Sequence, residues 1–238
     1  PSEYFRRMLG ASDVANWYRL PSPFSPTNLQ VNLAEYVDTS YKGRNQSLTD
    51  LVDLVRCVIT AKPGNYLVFF PSYDYLQSAV HLFENRFPQI AIRVQQRKMS
   101  DEERQEFLSA FEDESEVCGF AVMGGAFSEG IDLKGNRLIG AVVVGVGLPQ
   151  IGIERDLIRD HFPEAGFEYA YQYPGLVRVL QTAGRVIRDD ADRGIICLVD
   201  TRYRERRYLD LLPSEWEPRF CKNTSEVAVN LDSFWGQQ

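Results

Sequence analysis

The sequence predicts an α/β fold: a doubly wound, mainly parallel sheet flanked by helices on both faces. Three observations predict it. Apolar runs of strand length alternate with amphipathic stretches of helical period, as a parallel sheet with crossover helices requires. The runs at residues 64–70 and 138–146 are largely apolar rather than alternating, which suits strands buried on both faces. The 238 residues, 44% hydrophobic and 25% charged, suffice for one large domain with its own core.

The elements follow in order. Residues 29–37 alternate early and form the first strand candidate. Leu51, Leu54, Val55 and Val58 make one apolar stripe, which predicts a helix over 48–60. The strand within 64–70 ends at Pro71, and Ser72 is a good N-cap for a helix reaching about residue 85. Residues 90–94 are a short strand candidate. Ser100 and Glu103 have capping-box spacing and open a helix to about Phe111. Residues 119–123 form another buried strand, and a glycine-rich loop follows. After the strand at 138–146, helices are expected over 153–161 and 176–188, and the last clear strand over 195–199. The first 26 residues hold four prolines and look like a connector that docks on a surface. The division expected is therefore a connector at 1–26, the domain at 27–223 and a tail at 224–238.

Composition excludes several classes. No run of about 18 apolar residues is present, so no membrane span and no membrane partner are expected. No basic stretch leading into an apolar one opens the chain, so no secretory signal is expected, and the start at Pro1 reads as a piece of something longer. The net charge of -7 argues mildly against an autonomous nucleic-acid binder. A strand can still be held through backbone amides and a few local cations. Cys57, Cys118, Cys197 and Cys221 form no CxxC pair, so buried thiols in a reducing compartment are expected and no metal site within the chain. His81 and His161 are lone histidines far from any carboxylate-rich motif.

The chemistry-bearing signal lies at 181–188. On a helix, positions i, i+4 and i+7 share a face, so Gln181, Arg185 and Arg188 would form one polar stripe, extended by Arg178. Leu176, Val179, Leu180, Ala183 and Ile187 would pack on the sheet. Gly184 costs about 1 kcal/mol in a helix interior, which points to a close approach there. Two arginines a turn apart can grip an anionic oxygen group or can form a solvated cationic face. Stabilising a transferring phosphoryl group is one use, worth roughly 10³–10⁵ in rate. The loop at 124–130 has three glycines, so its N–H groups could approach phosphates or simply make a tight turn. Tyr73 could stack on a base or pack half-buried, and Asp132 could accept from ribose hydroxyls or cap a turn. Arg202, Arg204, Arg206 and Arg207 could contact phosphates, although a charge run is usually a solvated face. No GxxxxGK[ST] loop occurs, and the Gly145–Gly147 pair is followed by Leu148-Pro149, so a dinucleotide fingerprint is rejected.

These residues resemble a family. Gln181, Gly184, Arg185 and Arg188 have the spacing of motif VI of superfamily 2 helicases. The run from Gly125 through Ser128, Glu129, Gly130, Ile131 and Asp132 to Leu133 resembles motif V in its XPD/DinG form. Residues 68–73, ending in Ser72 and Tyr73, resemble motif IV of that group, and Asp200, Arg202 and Tyr203 an element after the next strand. The four motifs stand in the expected order over about 135 residues. Residues 4–10 resemble the segment following the first domain of such proteins.

The resemblance implies a RecA-like fold and the second motor domain of an ATP-dependent 5′–3′ DNA helicase. Arg185 and Arg188 would be arginine fingers and, with Gln181, would face ATP in the cleft between two motor domains. Gly130 and Asp132 would lie near the ribose and phosphates, and Glu129 would couple the sites. Ser72, Tyr73, Gly124, Gly125 and Ser128 would border a single-stranded DNA track. Asp200 and Arg202 would support motif VI from behind, and Gly184 would support it within the helix. ATP and Mg²⁺ would be held mainly by the N-terminal helicase domain, as would an iron–sulfur cluster in members that have one. The expected compartment is the cytoplasm, at the nucleoid in a bacterium, or the nucleus in a eukaryote. Two other readings use the same residues: a superfamily 2 RNA helicase domain and a non-catalytic docking module of helicase-like fold.

Overall fold

The structure, a computed structural model, describes every residue except 1, 13, 126, 128–131, 237 and 238. The expected sheet is present. Its strands are β1 (Leu29–Ala34), β2 (Tyr66–Phe70), β3 (Ile92–Val94), β4 (Cys118–Val122), β5 (Gly140–Val144), β6 (Gly194–Val199) and β7 (Arg219–Cys221). They lie in the order β3-β4-β2-β5-β6-β1-β7, and every pairing is parallel. All carboxyl ends therefore share one edge of the sheet, and ligands of open α/β sheets gather at such an edge.

Alternation along each strand divides the core in two. Val68, Phe70, Val142, Val144, Cys197 and Val199 point to one face. There they meet the helices α2 (Leu48–Thr60) and α3 (Tyr73–Arg86). Leu67, Phe69, Ala141, Val143, Ile196 and Leu198 point to the other face. They meet Phe107 of helix α4 (Asp101–Ser109) and Leu176, Val179 and Ala183 of helix α6 (Tyr173–Ala183). Helix α5 (Ile153–His161) lies outside both layers and buries none of its residues.

Side-chain caps set some boundaries. Ser72 accepts the N–H of Tyr75 and starts α3. Ser100 and Glu103 form the expected capping box of α4, which stops at Ser109, short of Phe111. A π-helical turn, Glu168–Gln172, leads into α6. Several strands are shorter than their apolar runs, because pairing rather than hydropathy limits them.

Two expectations need correction. Helix α6 ends at Ala183, not Arg188, and the chain beyond it tightens into turns in which Arg185 and Val186 donate to the carbonyls of Thr182 and Ala183. After a single-turn helix α7 (Arg206–Leu209), the residues expected as a tail instead form helix α8 (Thr224–Trp235), with Val227, Leu231 and Phe234 buried against the sheet and α2. Strand β7, just before it, is an edge strand of three residues, too short to register as a pattern. At the other end, helix α1 (Ser2–Met8) docks through buried Tyr4, whose ring meets those of Tyr169 and Tyr173 edge-on or tilted at 5.2 and 5.1 Å.

Candidate functional site

The candidate residues fall into two clusters at opposite edges of the sheet. Helix α6 follows β5 and precedes β6, so it runs back from the carboxyl edge toward the amino edge. Its end, with Gln181, Gly184, Arg185 and Arg188, therefore lies near the start of β6. Ser72, Tyr73, Gly124 and Gly125 follow β2 and β4 and lie at the carboxyl edge. A strand of six residues separates the edges by roughly 20 Å.

At the amino edge, Gln181 is exposed on the last helical turn, while Arg185 and Arg188 are half-buried in the turns beyond it. The shared helical stripe expected for the three is absent, because the helix stops before either arginine. Gly184 is the C-cap, with φ -64° and ψ 1°, so the interior-glycine cost expected for it does not arise. Buried Asp192 organises the segment. Its carboxylate accepts the N–H groups of Arg188 at 2.7 Å, Asp189 at 2.9 Å and Gly135 at 3.1 Å. Three acceptor bonds from one carboxylate fix a backbone that no helix holds. The guanidinium of Arg188 pairs with the carboxylate of Asp132, which brings two residues of separate motifs into contact. Asp192 escaped the sequence reading, and the only signal for it is an acidic turn placed directly before a buried strand.

At the carboxyl edge, Ser72 serves as the cap already described. Tyr73 is half-buried, and its hydroxyl donates to the Gln96 carbonyl at 3.3 Å and accepts from Gln95 Nε2 at 2.7 Å. Burial pushes the Tyr73 hydroxyl pKa up, with Arg97 pulling the other way. Gln95, almost fully buried, also accepts the Val122 N–H at 2.8 Å, so one amide joins the loops after β2, β3 and β4. Gln95 was also missed, since a glutamine after a short strand carries no pattern. Gly124 adopts φ +74°, and a Cβ there would lie 2.8 Å from Arg178 Nε. Arg178, expected to extend the arginine stripe, thus lies over this loop and donates to the Gly147 carbonyl at 3.4 Å. Ser128, Glu129 and Gly130 lie outside the described residues. Between the clusters Phe127 is buried against Phe107, with ring centroids 4.5 Å apart.

Asp200 and Arg202 do not stand behind the arginine turn. Asp200 follows β6 at the carboxyl edge and is fully buried. It accepts the Thr39 hydroxyl and both Nε and Nη2 of Arg202, at 2.8 and 2.7 Å. Burial works against the charge on Arg202, and the hydrogen bond and charge of Asp200 outweigh it, raising the pKa. Tyr203 donates to the Gly145 carbonyl at 3.3 Å, so this group braces the corner formed by β1, β5 and β6. Arg204 pairs with Glu35 at 3.6 Å and Arg207 with Glu205 at 2.6 Å, which splits the arginine run among the domain's own acids. Cys57, Cys118, Cys197 and Cys221 are all buried and unbridged.

Residues 55–219 match the family model of the helicase C-terminal domain. The chain belongs to the helicase C-terminal domain family. Similar curated proteins include a probable ATP-dependent helicase of Methanocaldococcus jannaschii, 27% identical over 83% of this chain and 34% of its own length. A regulator of telomere elongation helicase 1 homolog of Drosophila grimshawi is 26% identical over 76% of the chain and 20% of its own length. The ATP-dependent DNA helicase chl1 of Aspergillus clavatus is 26% identical over 74% and 29%. This helicase C-terminal domain thus spans about a third or less of these relatives. Among solved structures, an XPD helicase superposes with a TM-score of 0.67 at 23% identity, over 93% of this chain and 41% of its own. Yeast Dbp5 bound to RNA and ADP-BeF3 superposes with a TM-score of 0.56 at 13% identity, over 98% and 51%. These likenesses establish the RecA-like fold. No helix among the described residues is long and apolar enough to cross a membrane.

Proposed function

We propose that this domain is the second motor domain of an ATP-dependent 5′–3′ DNA helicase. In this reading it offers Arg185 and Arg188, with Gln181, to ATP held by the N-terminal helicase domain. Its carboxyl edge, with Ser72, Tyr73, Gly124 and Gly125, borders single-stranded DNA, and Ser128, outside the described residues, is assigned the same role. One observation supports the reading most: a single segment runs from Gly124, at the carboxyl-edge cluster, to Asp132, which pairs with Arg188 at the other. The seven residues between them thus join two clusters about a strand's length apart. A change at either end has a direct covalent path to the other through Glu129 and Gly130.

The amino-edge cluster fits an anionic ligand. Arg188 presents a half-buried guanidinium fork with 19% side-chain exposure, and its present partner, Asp132, is 66% exposed. A phosphate oxygen could take the place of that carboxylate, since both accept from a guanidinium in similar geometry. ATP and Mg²⁺ would supply the reacting phosphoryl group and its charge neutralisation, held mainly by the other motor domain. Asp200 and Arg202 would keep the carboxyl-edge corner rigid.

The decisive measurement is DNA-stimulated ATP hydrolysis by the full-length protein. Arg185→Ala should lower turnover by about 10³-fold or more while leaving the thermal melt unchanged. Normal turnover in that variant would refute the finger assignment. Stimulation by single-stranded RNA in preference to DNA would favour the RNA helicase reading. The 238-residue chain alone should hydrolyse no ATP.

A further inference from the structure

We propose that Arg97 is a phosphate-contacting residue of the single-stranded DNA track, held in place on the ring of Tyr73 and restrained by Asp74. The proposal rests on reading the carboxyl edge as that track. Arg97 lies in the segment that follows edge strand β3, and buried Gln95 fixes the segment's start beside Tyr73 and Gly125. A Cβ at Gly125 would lie 3.6 Å from Gln95 Nε2. The Arg97 guanidinium sits 5.3 Å from the Tyr73 ring centroid, a cation–π arrangement that orients its plane. It also pairs with Asp74, in the first turn of α3. Both members of the pair are open to solvent, with side-chain exposures of 66% and 76%.

Exposed ion pairs contribute little to stability, so a pair this open is poorly explained as a structural brace. The tyrosine keeps the planar fork oriented whether or not Asp74 holds it. A DNA phosphate is an oxygen acceptor with the geometry of the carboxylate it would displace. Asp74 then acts as a competitor: it occupies the arginine without DNA and opposes phosphate binding through its own charge. This predicts opposite effects for substitutions of the two partners, which a structural ion pair does not.

The test is fluorescence anisotropy of labelled oligothymidylate with the full-length protein across a salt series, with melts to confirm folding. Arg97→Ala should weaken binding roughly three- to tenfold, and the slope of log affinity against log salt should fall by about 0.7. Arg97→Lys should restore the slope but only part of the affinity, because the ammonium lacks the planar fork. Asp74→Asn should tighten binding. Gly125→Asp, which has room for a side chain, places a negative charge on the track and should weaken binding independently. Loss of binding in Gly125→Asp with Arg97→Ala unchanged overturns the role of Arg97 alone. Weaker binding in Asp74→Asn does the same. Failure of the unsubstituted full-length protein to bind the oligonucleotide overturns both the proposal and the track.

Discussion

Gly147 turns the chain away from β5 with φ +68°, and a Cβ there would lie 2.4 Å from the carbonyl oxygen of Gly175 in α6. Both the backbone region and the space exclude a side chain. Gly147→Ala should therefore destabilise by about 2 kcal/mol or more, read from denaturant midpoints. Gly125→Ala, whose Cβ would meet only ordinary contacts at 3.5 Å or beyond, should stay within about 0.5 kcal/mol of the unsubstituted chain. Equal effects would show that the α6 crossing is looser than the structure has it. Asp192→Ala removes an acceptor shared by three N–H groups and should cost about 2–4 kcal/mol, with loss of ATPase in the full-length protein beyond the loss of fold. A turnover unaffected in that variant would show that the arginine turn holds itself. At this scale the sequence draws notice to residue types that have few uses. Paired arginines at fixed spacing stood out. Asp192 and Gln95 did not, because an acid or an amide earns its role from backbone groups brought to it by remote parts of the chain.

Helix α8 shows what pattern reading loses among elements. Val227, Leu231 and Phe234 are buried on one side, yet only about three turns of helix carry the signal, at the end of the chain. Its packing on α2 and β7 makes it part of the core. Leu231→Ala should cost about 2–5 kcal/mol, as expected for a fully buried leucine, and a loss under about 0.5 kcal/mol would place the helix outside the core. Longer elements were legible. The expected bounds of α2 and α5 coincide with those observed, because a buried apolar stripe marks the first and an amphipathic period the second. The end of α6 was not legible. Periodicity continues through Ile187, which is buried, although the backbone has already left the helix. A buried residue at helical spacing marks a face of the core, and the chain can present that face from a turn as well as from a helix.

Across the whole molecule, the sheet places its two candidate clusters on opposite edges, so a sheet that moves as one body couples them alongside the segment from Gly124 to Asp132. The glycines 124 and 125 lie at the carboxyl ends of the strands and the arginines do not, because a crossover helix carries its own end to the other edge. Whether the domain behaves as a single body can be read through its thiols. Cys118 in β4, Cys197 in β6 and Cys221 in β7 belong to the same apolar face, while Cys57 lies on α2. Burial pushes all four thiols up, Cys221 to about 11, so at pH 8 the reactive thiolate is scarce in the folded chain. Ellman's reagent should react slowly under native conditions. Along a guanidinium series, Cys118, Cys197 and Cys221 should become reactive at one midpoint, that of the loss of helical circular dichroism. Should Cys221 respond at a lower concentration than Cys197, then β7 and α8 open as a unit of their own. In that event the path between the two edges would run through β4, β5 and β6 without them.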